Sequence, residues 1–283
     1  CNSIPPDFAL STIVPIPKNN RKSLNNSTNY RAIALSSIFG KLLDHIILHK
    51  NHEHFSTSCY QFGFKAKHST GMCTFVVNET IQYYLNRNND VYCTLLDATK
   101  AFDRVEYVRL FRCLIEKGIC PIVCRFLAYL YTRQCIRVRW GNVVGTPFPC
   151  RNGVKQGGVM SPILYSIYMD QLLTRLHNSP YGCEINRIFM GAFAYADDLI
   201  LLSPTVHGTR CMLNICETYG QDFNVMFNPS KSKLIVRTTN EHRMLADSIS
   251  LKFMNGRIDT VLSEKHLGNL IGNVKAKLLF LQT

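Results

Sequence analysis

None of the chain's twelve cysteines stands in a C-x-x-C pair, and no His/Cys cluster has zinc-finger spacing. That excludes the common structural zinc sites. Glycine-rich phosphate loops of the G-x-G-x-x-G and G-x-x-x-x-G-K-[ST] types are missing too. An unrelated phosphotransferase built on such a loop is therefore set aside. No apolar run approaches the roughly 20 residues needed to cross a bilayer. No secretory signal is visible, so the cysteines read as mostly reduced, buried thiols of an intracellular protein, nuclear and cytoplasmic in a eukaryotic host. Internal repeats and low-complexity tracts are absent. Acids are scarce, with 19 Asp and Glu against 32 Lys and Arg. The resulting net charge of +13 fits a polyanionic partner, nucleic acid or an anionic membrane surface. Charge alone leaves both open, beside a merely basic soluble protein.

What is present is a foldable chain. Its 283 residues are 46% apolar, enough for one large domain or two modest ones. A strand is expected at "STIVPIP", and a helix through "SSIFGKLLDHIILHK" with Ile38, Leu42 and Ile46 on one stripe. A second helix spans "TGMCTFVVNETIQYYL" and stops at an Asn-rich turn. "VYCTLLD" reads as a buried strand ending on Asp97. Helices follow at "EYVRLFRCLIEK", stopped by Gly118, and at "PIVCRFLAYLYTR". A hairpin turns at Gly141-Asn142. A long helix starts at Ser161-Pro162. The pattern "IFMGAFAY-ADD-LILLS" is a second hairpin with acids at its tip. A further helix at 209–223 and strands at "SKLIVRT" and "GRIDTVLS" complete an α+β fold, its sheet covered by helices on one face.

The acids carry the chemical interest. If "VYCTLLD" pairs beside the second hairpin, Asp97, Asp197 and Asp198 meet at one end of one sheet. Converging carboxylates repel, and one would take up a proton unless a cation intervenes. Mg²⁺ prefers carboxylate oxygens and keeps places for water and phosphate. Two such ions about 3.5–4 Å apart clamp an in-line phosphoryl transfer. Ordinary roles stand beside this one. Asp97 also suits an N-cap, the Asp197-Asp198 pair a solvated turn, and Asp103 a cap or a partner for Arg104.

Three segments come in order: "LLDATKAFDRV", "NGVKQGGVMSPILYSIYMD" and "FAYADDLILLS". Together they resemble the palm motifs of reverse transcriptases, most closely those of non-LTR (LINE-type) retrotransposons. Upstream, "TIVPIPKNN", "NYRAIALSSIFGKLLDHII" and "CYQFGFKAKHSTGMC" resemble that family's fingers segments, and "FNPSKSKLIV" and "KHLGNLIG" its later palm motifs. The resemblance implies a right-hand polymerase fold with an antiparallel palm sheet backed by helices. Fingers would occupy 1–90 and palm 91–283, with a further fingers segment inserted at about 118–160.

The resemblance also implies roles. Asp97, Asp197 and Asp198 would be the catalytic carboxylates holding two Mg²⁺, with Mn²⁺ as an alternative, and the Ala98 carbonyl would add a metal contact. Phe102 matches the bulky gate beneath the incoming sugar. Lys18 and Arg31 match residues that grip the triphosphate; Gln156 matches a residue near the nucleotide and template strand, and Gly157 with Gly158 would let backbone approach the substrate closely. Lys231 matches a lysine that serves the leaving pyrophosphate, with Lys233 two residues away. The implied partners are an RNA template, a DNA primer and dNTPs. The chain departs from the commonest pattern at Ala32, at Ala98-Thr99 and at His266, none of which removes a metal ligand or the gate.

Starting on Cys1 and ending in "KLLFLQT", the chain reads as part of something longer, with no endonuclease domain ahead and the thumb truncated after Gly268. Two alternatives remain at this stage. One is a group II intron or other retroelement reverse transcriptase. The other is an inactive nucleic-acid-binding remnant, against which the three intact acids argue.

Overall fold

The computed structural model describes residues 5–19, 21, 23–239, 249 and 251–272. In chain order the elements are α1 (Pro6–Ala9), β1 (Leu10–Pro17), β2 (Tyr30–Ser36), α2 (Ile38–Lys50), α3 (Thr70–Leu85) and β3 (Val91–Leu96). Next come α4 (Tyr107–Glu116), α5 (Pro121–Thr132), β4 (Cys135–Trp140), β5 (Val143–Val144), β6 (Phe148–Pro149) and α6 (Ser161–His177). The remainder is β7 (Glu184–Ile185), β8 (Ile188–Phe189), β9 (Ala192–Tyr195), β10 (Asp198–Ser203), α7 (Val206–Phe223), β11 (Lys233–Arg237), β12 (Leu251–Phe253), β13 (Gly256–Thr260), β14 (Ser263–His266) and β15 (Asn269–Gly272). Among the described residues, no helix is long and apolar enough to cross a membrane. The segment after Gly272, where a thumb would begin, lies outside the described residues.

Two compact units interleave along the chain. The first takes the described residues up to Ser56 together with Phe102–Tyr168. Its sheet has the order β2-β1-β4-β5, with β6 also on β4. The β1/β2 pair is antiparallel and the β1/β4 pair parallel. Helix α2 is capped by Ser37, whose hydroxyl accepts the Gly40 N–H. Its inward residue is Ile47, while Ile38, Leu42 and Ile46 are exposed. The expected stripe is thus out of phase by one residue, about 100° of helix. On the inward side Asp44, next to Leu43, accepts the Met160 backbone N–H. Burial pushes the Asp44 carboxyl up to about 6, with Lys155 partly offsetting.

The second unit takes Thr57–Ala101 and the described residues from Met169 onward. It is built on a six-stranded sheet in the order β12-β13-β11-β3-β10-β9. Neighbouring pairs are antiparallel except β11/β13. Helix α3 packs Cys73, Val77 and Ile81 onto the face formed by Cys93, Leu95, Ile200, Leu202 and Ile235. Helix α7 contacts β10 and β3 as well, burying Met212, Leu213 and Cys216. Every residue from Leu199 to Ser203 is buried, so both faces of the sheet are covered rather than one. The unbroken apolar run "LILL" is the sequence trace of that burial, since alternation is lost when neither face meets water.

The free edge of β9 is covered in turn. Phe62 donates to the Ala194 carbonyl at 2.8 Å, and Ala194 donates back to Tyr60 at 2.9 Å. An edge strand left bare would invite pairing with another chain.

Candidate active site

Strands β3 and β10 run antiparallel with Leu96 opposite Leu199. Asp97 directly follows Leu96 and Asp198 directly precedes Leu199, so both acids stand at the same end of the two strands, one step beyond that pair. Asp197 is in the two-residue turn between Tyr195 and Asp198. The other turn residue, Ala196, has φ +59°. Positive φ at the first central position is the pattern of a II′ hairpin turn, normally glycine's place. For alanine it costs about 1–2 kcal/mol, so other contacts must hold it; the buried Gln61 provides them.

The other side of Asp97 is fixed by the segment before β11. Asn228 donates to the Asp97 carbonyl at 2.8 Å, Thr99 donates to Met226 at 2.7 Å, and Ala98 pairs with Phe227. In such a non-hydrogen-bonded pair the bonds belong to the flanking residues. The Ala98 carbonyl is thereby turned away from Phe227. The fully buried Ser232 accepts the Asp97 N–H at 3.3 Å and donates to Asn228 at 2.8 Å. This arrangement carries Lys231 to the site: its Nζ is 3.6 Å from Asp97 Oδ2. Both side chains are well exposed, so the pair adds little stability.

Burial first, and neighbouring charge second, disfavour the ionised forms of Asp197 and Asp198. Burial, and then the charge of Asp97, push the Asp197 carboxyl above its usual range. Burial, then Asp197 and Asp97, push Asp198 up to about 6. Cys73, in the first turn of α3, is pushed up to about 12 by burial and then by Asp198. A carboxylate with a raised folded pKa destabilises the fold once ionised. Stability contributed by its protonated form is full below about pH 4 and is lost as pH rises through about 6. Asp198→Asn is therefore expected to stabilise the metal-free protein at pH 7.5 by about 1–2 kcal/mol, discounted for solvent screening. The gain should shrink toward zero near pH 4. Thermal melts in EDTA at both pH values check this; no gain at pH 7.5 would mean the acids are not strained.

Among the described residues, no three His, Cys, Asp or Glu side chains are spaced as a metal-holding group. The three carboxylates share one field without closing a cage. They nonetheless fit a hard cation: all donors are oxygens, the charges are mutually unfavourable, and the Ala98 carbonyl is not taken up by Phe227. An open arrangement of this kind suits Mg²⁺, which completes its shell with water and phosphate.

The remaining sequence-derived residues belong to the first unit. Lys18 and Arg31 are exposed; Arg31 lies on β2 opposite Ile16, and the Lys18 N–H donates to the Asn29 carbonyl at 2.6 Å. The Gln156 carbonyl accepts the Ala34 N–H at 2.7 Å, docking its loop on β2. Gly157 has φ +98°, and a Cβ there would crowd the Ala34 carbonyl at 3.2 Å. The Phe102 ring stacks on Tyr165, centroids 4.8 Å apart. Asp97, Ala98, Asp197, Asp198 and Lys231 all belong to the second unit. Gln61 was missed as a candidate. Its signal was a lone amide between aromatic residues in "CYQFGF", because a polar side chain buried among them needs partners.

Comparisons with known proteins bear on this arrangement. A family model described as reverse transcriptase (RNA-dependent DNA polymerase) matches residues 16–262. The chain is 25% identical over 202 residues to a retrovirus-related Pol polyprotein of the type-1 retrotransposable element R2 from Nasonia vitripennis. That match covers 71% of this chain and 20% of the polyprotein. It is 25% identical over 246 residues to the RNA-directed DNA polymerase of the mobile element jockey from Drosophila melanogaster, covering 80% of this chain and 25% of that protein. The chain thus spans about a fifth to a quarter of the length of these relatives. Among solved structures, an apo telomerase from Candida tropicalis truncated from its C-terminal domain superposes with TM-score 0.59 at 12% identity. That superposition covers 96% of this chain and 56% of the telomerase chain, a likeness of fold.

Proposed function

The chain belongs to the reverse transcriptase (RNA-dependent DNA polymerase) family, and from that membership we propose that it is the catalytic segment of a LINE-type retrotransposon polymerase. The reaction is extension of a DNA primer along an RNA template, with dNTPs as substrates. The observation that carries the reading is the antiparallel pairing of β3 and β10, which brings Asp97 and Asp198 to the same end of the two strands with Asp197 in the adjoining turn.

Each residue then has a task. Asp97, Asp197, Asp198 and the Ala98 carbonyl would hold two Mg²⁺, or Mn²⁺ in their place. When bound, such ions lower the pKa of the primer 3′-OH and neutralise charge on the triphosphate. Lys18 and Arg31 grip the triphosphate as a mobile point charge and a planar fork. Gln156 and Gly157 bring backbone close to the nucleotide. Lys231 stabilises charge on the departing pyrophosphate, and its contact with Asp97 keeps it at the acids. Positioning and electrostatics supply most of the acceleration in phosphoryl transfers of this kind.

Primer extension on an RNA template, with Mg²⁺ and with EDTA, tests the proposal. Incorporation that depends on Mg²⁺ is the expected result. Template binding without incorporation would mark the chain as a nucleic-acid-binding remnant instead. The net charge of +13 adds a quantitative expectation. Template–primer affinity should fall by at least tenfold between 50 and 200 mM salt, read by fluorescence anisotropy, because bound phosphates release counterions. A flat salt response would remove the backbone-phosphate contacts from the proposal.

A further inference from the structure

We propose that Gln61 is a positioning residue for the acidic turn: its carboxamide fixes the backbone at Ala196, and through it the placement of Asp197 and Asp198. The proposal rests on the polymerase reading above. Gln61 is fully buried, yet it belongs to neither strand of the hairpin. Its Oε1 accepts the Ala196 N–H at 2.9 Å and the Gly63 N–H at 2.9 Å. Its Nε2 donates to the Ala196 carbonyl at 3.4 Å. One side chain thus satisfies both backbone groups of the single residue whose φ of +59° is unfavourable for alanine.

Two further features hold that contact in place. The backbone bonds of Tyr60 and Phe62 to Ala194 lay this segment along β9, two residues before the turn. Gly63 then passes so close to Ala196 that a Cβ would overlap the Ala196 nitrogen. The chemistry requires an amide of this length. Glutamate keeps the acceptor but has no donor for the Ala196 carbonyl. Leucine offers neither. Glycine at 196 would adopt the positive φ without assistance, so alanine makes the turn dependent on Gln61.

That dependence supplies the test. Wild type, Gln61→Leu, Gln61→Glu and the double variant Gln61→Leu/Ala196→Gly are compared as full chains. Primer extension gives kcat and the dNTP KM, anisotropy gives template–primer Kd, and melting in a Mg²⁺ titration gives a metal midpoint independent of activity. Gln61→Leu is expected to lower kcat at least tenfold and to raise the Mg²⁺ midpoint severalfold, with KM and Kd within twofold. Adding Ala196→Gly should recover threefold or more in kcat and shift the midpoint back. If Gln61→Leu does not fold, Gln61→Glu carries the same expectations. A folded Gln61 variant with wild-type kcat and Mg²⁺ midpoint overturns the proposal. So does a loss that weakens Kd equally and is not recovered by Ala196→Gly, which would mark Gln61 as structural only. A wild-type chain that extends no primer defeats the polymerase reading instead. The Mg²⁺ titration of the melting temperature then still decides on Gln61.

Discussion

Replacing Asp197 with asparagine is expected to cut primer extension at least about a thousandfold, equivalent to about 4 kcal/mol of transition-state stabilisation. Template–primer binding should stay within about twofold. Asparagine matches aspartate in size, and the turn is held through Ala196, so the hairpin should persist. What disappears is one negative charge at the place where cations are to be held. The same substitution removes the charge that burial, and then Asp97, disfavour, so the variant should melt no lower than wild type in EDTA. Lost activity joined to retained or improved stability is the signature of a site that trades stability for chemistry. An Asp197→Asn protein that extends a primer at the wild-type rate with Mg²⁺ present would end the catalytic assignment.

How much of this was legible beforehand varied with the physics of each element. The strand at Val91–Leu96 and the hairpin carrying the acids were readable because aliphatic runs bounded by polar residues leave few alternatives. Helices at Thr70–Leu85 and Tyr107–Glu116 were readable from their stops, at Asn88 with φ +58° and Gly118 with φ +79°. The phase of α2 was not. Apolar spacing weighs Leu42 and Ile46 against solvent, but it does not say which face meets the rest of the unit, where Asp44 accepts from Met160, distant in the chain. The second covering of the sheet was written in the unbroken run Leu199–Leu202, yet a buried run does not say which helices cover it. Gln61 lay furthest from reach. Its partners belong to a turn more than a hundred residues downstream, and periodicity carries no information about them.

The Phe102→Val substitution is expected to raise ribonucleotide use tenfold or more relative to deoxynucleotides. The resemblance gives Phe102 the place under the incoming sugar, where an aromatic ring collides with a 2′-OH. A steric gate works only if it cannot yield. Phe102 is braced: its ring lies nearly parallel to that of the fully buried Tyr165, 18° between planes. Its carbonyl accepts the Val154 N–H at 2.8 Å, and Gly153 runs so near Asp103 that a Cβ would come within 3.0 Å of its Cα. The ring therefore has little freedom to swing aside. Valine keeps the site apolar while removing most of the ring, leaving room for one hydroxyl. Exclusion by shape of a single small group is worth about 10–200-fold, which bounds the change from above. The measurement is the ratio of kcat/KM for dCTP to that for CTP, in wild type and variant on the same template. The ratio should collapse mainly through better use of CTP, with dCTP losing only a few fold. An unchanged ratio in a folded variant would mean that Phe102 serves packing against Tyr165 and that sugar selection lies elsewhere.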